Sequence, residues 1–158
     1  MDTPRIIEGD LQVRDHRFVI LASRFNEFIV DGLVRGALDA LKRHGATEKQ
    51  VEIVRVPGAF DMPPVARRLA ESRRYEAIIA VGAVIRGQTA HFDYVAGECA
   101  SGLARVAADT GVPVAFGVLT TETAEQAMDR AGGKAGNKGA DAAMSAIELV
   151  NLLRRLES

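Results

Sequence analysis

A histidine that follows a long apolar run is the side chain of this sequence best placed to move protons. Residues 77–84 carry no charged or hydrogen-bonding side chain, and a turn at Gly87 leads from them to His91. Such a run is typical of a strand covered on both faces of a parallel sheet. Ligands bind beyond the carboxyl ends of these strands, and imidazole titrates near neutral pH. We therefore predict that His91 donates and accepts protons; the alternative is a helix histidine bonded to a backbone carbonyl.

Three residues are candidates for holding an anion near this histidine. Gln88 and Thr89 fall where a helix is predicted to begin, and the free N–H groups of a helix N-terminus suit phosphate. Arg130 can grip the same anion through two parallel hydrogen bonds. The alternatives are plain helix capping for Gln88 and Thr89, and an exposed helix position for Arg130.

The remaining candidates are one carboxylate and three aromatic rings. Asp61 closes a Gly-Ala-Phe-Asp turn, where it can accept hydrogen bonds from a polyol or cap the helix that follows. Phe25 and Phe60 stand on loops and can stack on a planar ring, or pack on the edge of the core. Phe116 lies within a predicted buried strand, which favours core packing.

Neither a metal nor a redox cofactor is expected. The three histidines, His16, His44 and His91, are scattered without the spacing of metal ligands. Residues 132–139 are rich in glycine and lysine, but they lack the spacing of a phosphate-binding P-loop and do not follow a strand. We interpret them as a kink between two helices. Cys99 lies in a small-residue stretch and is expected to be a buried hydrophobe.

Strands and helices alternate along the chain, which positions most of these candidates at the carboxyl ends of strands or just after them; Phe116 lies within the fourth strand, and Arg130 follows a short helix. Strands are predicted at 17–23, 51–56, 77–84 and 112–119. Helices are predicted at 28–44, 63–72, 89–110 and 139–156, with a short one entered at Thr121 and broken at Gly132. This alternation implies parallel pairing through right-handed crossovers. The predicted fold is a three-layer α/β/α sandwich of flavodoxin type, with a four-stranded parallel sheet and helices on both faces.

Composition limits the setting in which the chain works. Its 158 residues suit one domain, 1–158, and its net charge of -1 with no long basic run makes nucleic acid an unexpected partner. No apolar run approaches the length of a membrane span, so we expect a cytoplasmic protein. Residues 6–11, within an N-terminal segment 1–14, are β-prone. They form either a frayed end or a strand on a sheet edge, in this subunit or a neighbouring one.

Five motifs, spread over nearly the whole chain, match one enzyme family in order and spacing. They are RFN at 24–26, VPGAF at 56–60, GAVIRG at 82–87 followed by Thr89 and HFDY at 91–94, FG at 116–117, and RAGGKAGNKG at 130–139. Several motifs in register are far more specific than any one alone. The sequence therefore resembles the lumazine synthase family.

The resemblance implies a defined reaction. Members of the family condense 5-amino-6-(D-ribitylamino)uracil with 3,4-dihydroxy-2-butanone 4-phosphate, releasing phosphate and water, in riboflavin biosynthesis. The reaction has no net redox step and implies no cofactor. The alternatives are a pentameric riboflavin synthase of the same architecture and a non-catalytic flavin-binding shell protein. A sugar-phosphate isomerase fits the anion site but leaves the paired loop phenylalanines unexplained.

The resemblance also implies a role for each candidate residue. His91 is the catalytic acid and base. The residues implied for substrate binding are Phe25, Ala59, Phe60, Asp61, Ala83, Val84, Ile85, Gln88, Thr89, Phe116, Arg130 and Lys138. Within this set, Phe25 stacks on the pyrimidine, 59–61 hold the ribityl chain and the ring edge, and 83–85 offer backbone groups to the uracil. Gln88, Thr89 and Arg130 bind phosphate, Phe116 comes from a neighbouring subunit, and Lys138 lies near the ring.

Two of these positions depart from the usual family pattern. Asp61 stands where glutamate is common and is one methylene shorter, so its reach toward the ribityl hydroxyls is reduced. Gln88 replaces a small residue, and its longer side chain adds bulk beside the phosphate. Both changes bear on affinity rather than on the type of reaction.

Finally, the resemblance implies an assembly. The family forms homopentamers, and in some members sixty subunits build an icosahedral shell. Residues 6–11 resemble the strand that joins a neighbour's sheet, and 133–139 resemble the same segment of shell-forming members. Riboflavin synthase is a further partner that the resemblance implies.

Overall fold

The computed structural model describes residues 3–87 and 91–158. The strands are β1 (Phe18–Ser23), β2 (Val51–Val56), β3 (Ala77–Ile85), β4 (Val114–Thr121), β5 (Ala131–Gly133) and β6 (Gly136–Asn137). The helices are α1 (Glu27–Arg43), α2 (Met62–Glu71), α3 (His91–Thr110), α4 (Ala124–Asp129) and α5 (Lys138–Glu157). Short 3-10 turns cover Glu48–Gln50 and Ala59–Asp61.

The main sheet has the predicted parallel pairing. Its order is β2-β1-β3-β4, and in the central register Ile20 faces both Ile53 and Ile79. This is the flavodoxin-like order, in which the chain reverses its direction of winding between β1 and β3. The reversal opens a crevice beyond the carboxyl ends of these two strands, where ligands bind in open α/β sheets.

Two apolar cores, one on each face of the sheet, make the three layers. One core places Phe18, Ile20 and Ile79 against α1 and α5. The other places Val19 and Leu21 against α2 and α3. Alternate residues of β1 therefore serve opposite cores, as the pleat of a strand requires. The predicted α/β/α sandwich is confirmed, and all of β1 and most of β3 are buried within it.

The glycine- and lysine-rich segment is not the helix-to-helix kink that the sequence suggested. Instead β5 and β6 form a small antiparallel hairpin between α4 and α5. Gly132 and Gly136 have φ angles of 111° and 91°, a backbone region that favours glycine. Two such residues within a few positions let the chain reverse sharply, and this is the physical reason for the correction.

Asn137 fixes the hairpin to both helices of its face. Its side-chain oxygen accepts from the Ala140 N–H at 3.1 Å and caps α5, while its side-chain N–H donates to the Gly32 carbonyl of α1 at 2.9 Å. A Cβ on Gly36 would lie 2.2 Å from the Asn137 side chain, so only glycine leaves room for it there. The hairpin is thereby held against α1.

The structure also corrects one strand boundary and one helix start. β4 spans Val114–Thr121 rather than 112–119, and Thr121 stays in this strand. Helix α4 begins after Thr123, whose hydroxyl accepts from the Gln126 N–H at 3.1 Å. The Gln126 side chain accepts in return from the backbone at Glu122 and Thr123. A glutamine at the third helical position completes this reciprocal cap from Thr123, not from Thr121.

The N-terminal segment lies partly on α5 of its own chain. The Asn151 side-chain N–H groups donate to the carbonyls of Asp10 and Gln12, and the Asn151 side-chain oxygen lies 3.0 Å from Nε2 of the buried His16. A hydrogen bond from Arg14 holds the pKa of the Asp10 carboxyl well below its usual range. Residues 3–8 are exposed and carry no regular structure, so pairing of this segment with a neighbouring subunit stays a prediction.

The interior of the second core contains Cys99. It is fully buried in α3, and burial raises the pKa of its thiol to about 11. The expectation of a small buried hydrophobe is confirmed. Across residues 3–87 and 91–158, none of the helices has both the length and the apolar character that crossing a bilayer demands.

Candidate active site

A cleft of about 430 Å³ opens at the carboxyl ends of β1 and β3, beside the start of α3. Its position is the crevice that the reversal of winding between these strands predicts. Its lining combines two loop phenylalanines, several small residues and one histidine. The lining residues are Phe25, Asn26, Pro57, Gly58, Ala59, Phe60, Asp61, Ala83, Val84, Ile85, Gly87, His91, Phe92 and Val95.

The loop after β1 is held rigidly at the mouth of the cleft. The Arg24 and Phe25 N–H groups donate to the carbonyls of Val56 and Pro57 at 2.8 and 2.9 Å. Asn26 adopts a left-handed conformation with φ 63°, and its side-chain N–H donates to the Ala83 carbonyl at 3.3 Å. This backbone path leaves the Phe25 ring 72% exposed, with a free face for a planar ligand.

The loop after β2 forms the opposite lip. The Asp61 carboxylate accepts from the Gly58 N–H at 3.0 Å and closes the 3-10 turn Ala59–Asp61. It therefore caps its own turn instead of the first turn of α2, which was the alternative suggested by the sequence. Phe60 projects from this turn and is 55% exposed. Both loop phenylalanines are thus presented to the cleft rather than packed into a core.

Beneath the two lips, the floor of the cleft is the end of β3. Ala83 and Val84 have buried side chains, and both pair with β4 at Leu119 and Thr120. Small residues here let a ligand approach the main chain closely. The groups that β3 offers to a ligand are therefore mainly those of the backbone.

The far wall is the first turn of α3. His91 is the first residue of this helix, and Val95, one turn further on, lies on the same wall. Gln88 and Thr89, the predicted phosphate-binding residues, lie outside the described residues. His91 is thus brought together with Phe25, Phe60 and the end of β3, as the sequence predicted.

Phe116, Arg130 and Lys138 lie outside this cleft. Phe116 is in β4, opposite Ala80, and is 38% exposed rather than packed in the core as its strand position suggested. The reason is that β4 is an edge strand of the main sheet, so Phe116 has fewer covering neighbours than a residue of β1 or β3.

Arg130 and Lys138 occupy the two ends of the β5–β6 hairpin. The Lys138 N–H donates to the Arg130 carbonyl at 2.8 Å, so the two residues are adjacent. The hairpin contacts α1 and α5, which cover the opposite face of the sheet from α2 and α3. Among the described residues, a single chain therefore holds its predicted site residues in three separate places: the cleft, the hairpin with Arg130 and Lys138, and β4 with Phe116.

Sequence reasoning did not single out several residues of the cleft. Asn26 was visible in the RFN motif, and asparagine is one of the few side chains that tolerate a left-handed backbone. Val95 follows His91 by four residues, the helical spacing that places two side chains on one face. Phe92 was visible in the HFDY motif directly after His91. Among the described residues there is no group of three or more His, Cys, Asp or Glu side chains arranged to hold a metal ion.

The sequence of this chain is similar to that of a named protein. The chain is 58% identical over 153 residues to the 6,7-dimethyl-8-ribityllumazine synthase of Syntrophus aciditrophicus (strain SB), covering 97% of this chain and 99% of the relative. A de novo designed Rossmann fold protein overlaps 71% of this chain and 90% of its own, with 14% identity and a TM-score of 0.41, a likeness too low to inform function. The family model for 6,7-dimethyl-8-ribityllumazine synthase matches residues 15–154. The chain belongs to the 6,7-dimethyl-8-ribityllumazine synthase family.

Proposed function

We propose that this protein is a transferase that makes 6,7-dimethyl-8-ribityllumazine in riboflavin biosynthesis. It condenses 5-amino-6-(D-ribitylamino)uracil with 3,4-dihydroxy-2-butanone 4-phosphate. The observation that carries the proposal is the cleft in which loop phenylalanines, the backbone of β3 and a histidine converge. Its volume of about 430 Å³ lies within the range of small-molecule sites.

The pyrimidine binds between the two lips of the cleft. Its flat ring stacks on the exposed face of Phe25, while its polar edge meets the backbone groups of residues 83–85. The ribityl chain extends along Ala59, Phe60 and Asp61. The Asp61 carboxylate accepts one hydrogen bond from the Gly58 N–H. Its remaining lone pairs can accept hydrogen bonds from the ribityl hydroxyls.

The reaction needs protons moved at several atoms but no change of oxidation state overall. The primary amine of the pyrimidine attacks the ketone carbon, and loss of water leaves an imine. Loss of the C3 proton and cleavage of the C4–O bond expel phosphate and leave an enol, which takes up a proton at C4 and becomes a ketone at C3. Attack of the ribityl-bearing nitrogen on this new carbonyl closes the ring with loss of another water. His91, on the wall of the cleft, takes protons from nitrogen and returns them to departing oxygen.

Phosphate binding calls for residues from two chains. We assign the phosphate to Gln88 and Thr89, which precede His91 in the sequence, and to Arg130 of a neighbouring subunit. Support comes from the position of Arg130 and Lys138. Both lie outside the cleft of their own chain, on a hairpin that packs against α1. Phe116, exposed on an edge strand, packs against the ligand from the same neighbour.

The assembly that such sharing requires is a closed ring. We propose a homopentamer in the cytoplasm, in which residues 6–11 pair with the sheet of the next subunit, and twelve pentamers as a sixty-subunit shell. The exposure of residues 3–8 and the free outer edge of β2 support strand exchange. Riboflavin synthase is the proposed protein partner, since it consumes the lumazine.

The decisive experiment mixes both purified substrates with the protein and follows lumazine fluorescence and phosphate release together. We expect one phosphate for each lumazine formed. Turnover of lumazine alone would instead indicate a riboflavin synthase, and tight flavin binding without product would indicate a binding or shell protein. Either result would contradict the proposed activity.

A further inference from the structure

Arg86 sits where β3 ends and the segment leading to His91 begins. Its backbone N–H donates to the Thr121 carbonyl at 2.8 Å, so its main chain is anchored to the end of β4. No role in the reaction has been assigned to it so far, although it directly follows the floor of the cleft. Its side chain turns toward the first turn of α3.

The guanidinium of Arg86 makes three contacts with two other parts of the chain. Nε lies 3.1 Å from a carboxylate oxygen of Glu122, in the loop after β4. A terminal nitrogen lies 3.3 Å from the Asp93 carboxylate in α3. Its central carbon lies 4.7 Å from the centre of the Phe92 ring, a cation–π distance. One side chain thus ties the ends of β3 and β4 to the start of α3.

Two of these contacts are to the residues that come directly after the histidine. Phe92 directly follows His91 and also lines the cleft, and Asp93 comes next. We propose that Arg86 is a positioning residue for His91: it holds the first turn of α3 against the sheet and so fixes the imidazole relative to the bound substrates. The proposal rests on the catalytic role proposed for His91 and adds to it the residue that sets its place.

A direct role in binding the phosphorylated substrate is the competing explanation. The guanidinium is already directed at two carboxylates, and both would have to be displaced before it could grip a phosphate. Ion pairs at this exposure contribute little to global stability. A displacement of a reacting group by about 1 Å, in contrast, costs up to about 100-fold in rate. We therefore expect the effect of losing Arg86 in turnover, not in folding or in substrate affinity.

The chain offers a matched control at the other end of the same helix. Arg67 bridges Glu71 and Asp109, and so ties α2 to the last turns of α3. Its side chain is 40% exposed, against 42% for Arg86. Arg67→Met and Arg86→Met each remove one positive charge that pairs with two carboxylates. Only Arg86 contacts the residues that directly follow His91.

The test measures kcat and KM for both substrates, together with the thermal midpoint. We expect Arg86→Met to lower kcat about 10-fold, with each KM changed by less than about twofold and the thermal midpoint close to that of Arg67→Met. Arg86→Lys, which keeps the charge but loses the planar fork, should recover part of the rate. Arg67→Met should keep the wild-type kcat.

A double-mutant cycle with His91→Ala separates this inference from the function on which it rests. If Arg86 acts through the histidine, Arg86→Met has no further effect on kcat in the His91→Ala background. An equal loss in both backgrounds, a wild-type kcat for Arg86→Met, or a rise only in KM for the phosphorylated substrate would overturn the inference. A wild-type rate for His91→Ala would instead overturn the proposed role of the histidine itself.

Discussion

At the scale of single residues, the cleft divides its work between side chains and backbone. All four residues Phe25, Ala83, Val84 and His91 line the cleft; in the proposed reaction, Ala83 and Val84 offer main-chain groups, whereas Phe25 and His91 act through their rings. Holding two substrates together supplies up to about 7–11 kcal/mol through effective molarity. Proton transfer by one residue supplies less, about 10²–10⁴-fold in rate. We therefore expect proximity to be the larger contribution to the rate of the proposed reaction, and proton transfer by the histidine to be the smaller one.

His91→Ala should slow turnover without abolishing it. The substrates remain bound and oriented, so only the proton-transfer contribution is lost, and kcat should fall by about 10²–10⁴-fold. Steady-state formation of lumazine, with both KM values, measures this. Complete inactivity in a variant that keeps its circular dichroism spectrum would contradict the division of labour between proximity and proton transfer.

Arg130→Ala should act mainly on one substrate. If the guanidinium grips the phosphate in the ground state as well as in the transition state, its loss raises KM for the butanone phosphate about 10-fold or more and leaves KM for the pyrimidine unchanged. Initial rates over a matrix of both concentrations separate the two constants. The neighbouring Lys134, exposed on the same hairpin and paired only loosely with Asp129, offers Lys134→Ala as a control.

An unaltered KM for the phosphorylated substrate in Arg130→Ala would remove this residue from the anion site.

The predicted meeting of Phe25, Phe60 and His91 in one place is confirmed, because the position of each follows from the end of a strand; their roles stay predictions. For Phe116, contact with the ligand from a neighbouring subunit stays a prediction, and the core packing that its strand position favoured is not observed because β4 is an edge strand. The local sequence does not show which strand lies at the edge of the sheet.

At the scale of elements, the β5–β6 hairpin is the piece on which the positions of Arg130 and Lys138 depend. Asn137 holds it by two hydrogen bonds of different kinds, a cap on α5 and a bond to the Gly32 carbonyl of α1. Loss of a cap costs about 1 kcal/mol, and loss of a hydrogen bond to a carbonyl that keeps its helical partner adds about 0.5–1.5 kcal/mol. The hairpin should therefore be sensitive to this one amide.

Asn137→Ala should lower the free energy of unfolding by about 1.5–2.5 kcal/mol, the sum of the cap and the hydrogen bond to the Gly32 carbonyl. Thr123→Ala is the matched control, because Thr123 caps α4 without a long-range bond and should cost only about 1 kcal/mol. Urea unfolding at one fixed protein concentration compares them, since assembly adds to apparent stability. Equal losses in the two variants would show that the bond to Gly32 contributes nothing.

The elements themselves were largely predictable, and the exceptions have physical causes. The parallel strands and long helices carry apolar patterns that are decided locally, which is why β1, β3 and α1 fall close to their predicted ranges. The hairpin was missed because glycines specify no apolar pattern, and only the packing of Asn137 on α1 makes its path definite. The start of α4 was misplaced because both Thr121 and Thr123 are suitable caps, and Gln126 selects the second.

At the scale of the whole molecule, the separation of His91 from Arg130 leads to a test by complementation. If a working site takes the histidine from one subunit and the arginine from the next, mixed rings of His91→Ala and Arg130→Ala chains contain some interfaces with both wild-type residues. In an equal mixture, about a quarter of the sites are intact. Two chains that are each impaired should then be more active together than apart.

Co-expression of the two variants with different tags, followed by sequential purification, gives the mixed assemblies for this assay. The expected activity is about a quarter of wild type, set by the random placing of two kinds of chain around a ring. Rates equal to the mean of the two separate variants would place His91 and Arg130 in one subunit's site. Light scattering that finds a stable monomer would have the same consequence.

The order of the main sheet leaves β2 and β4 at its borders, with Ile53 and Phe116 partly open to water. An unpaired strand border is a template on which other chains can aggregate. If the proposed ring covers these borders, each newly made copy is open to such aggregation only until it joins its neighbours. Variants that slow assembly should then precipitate more readily than the wild type, even where the fold of the single chain is unchanged.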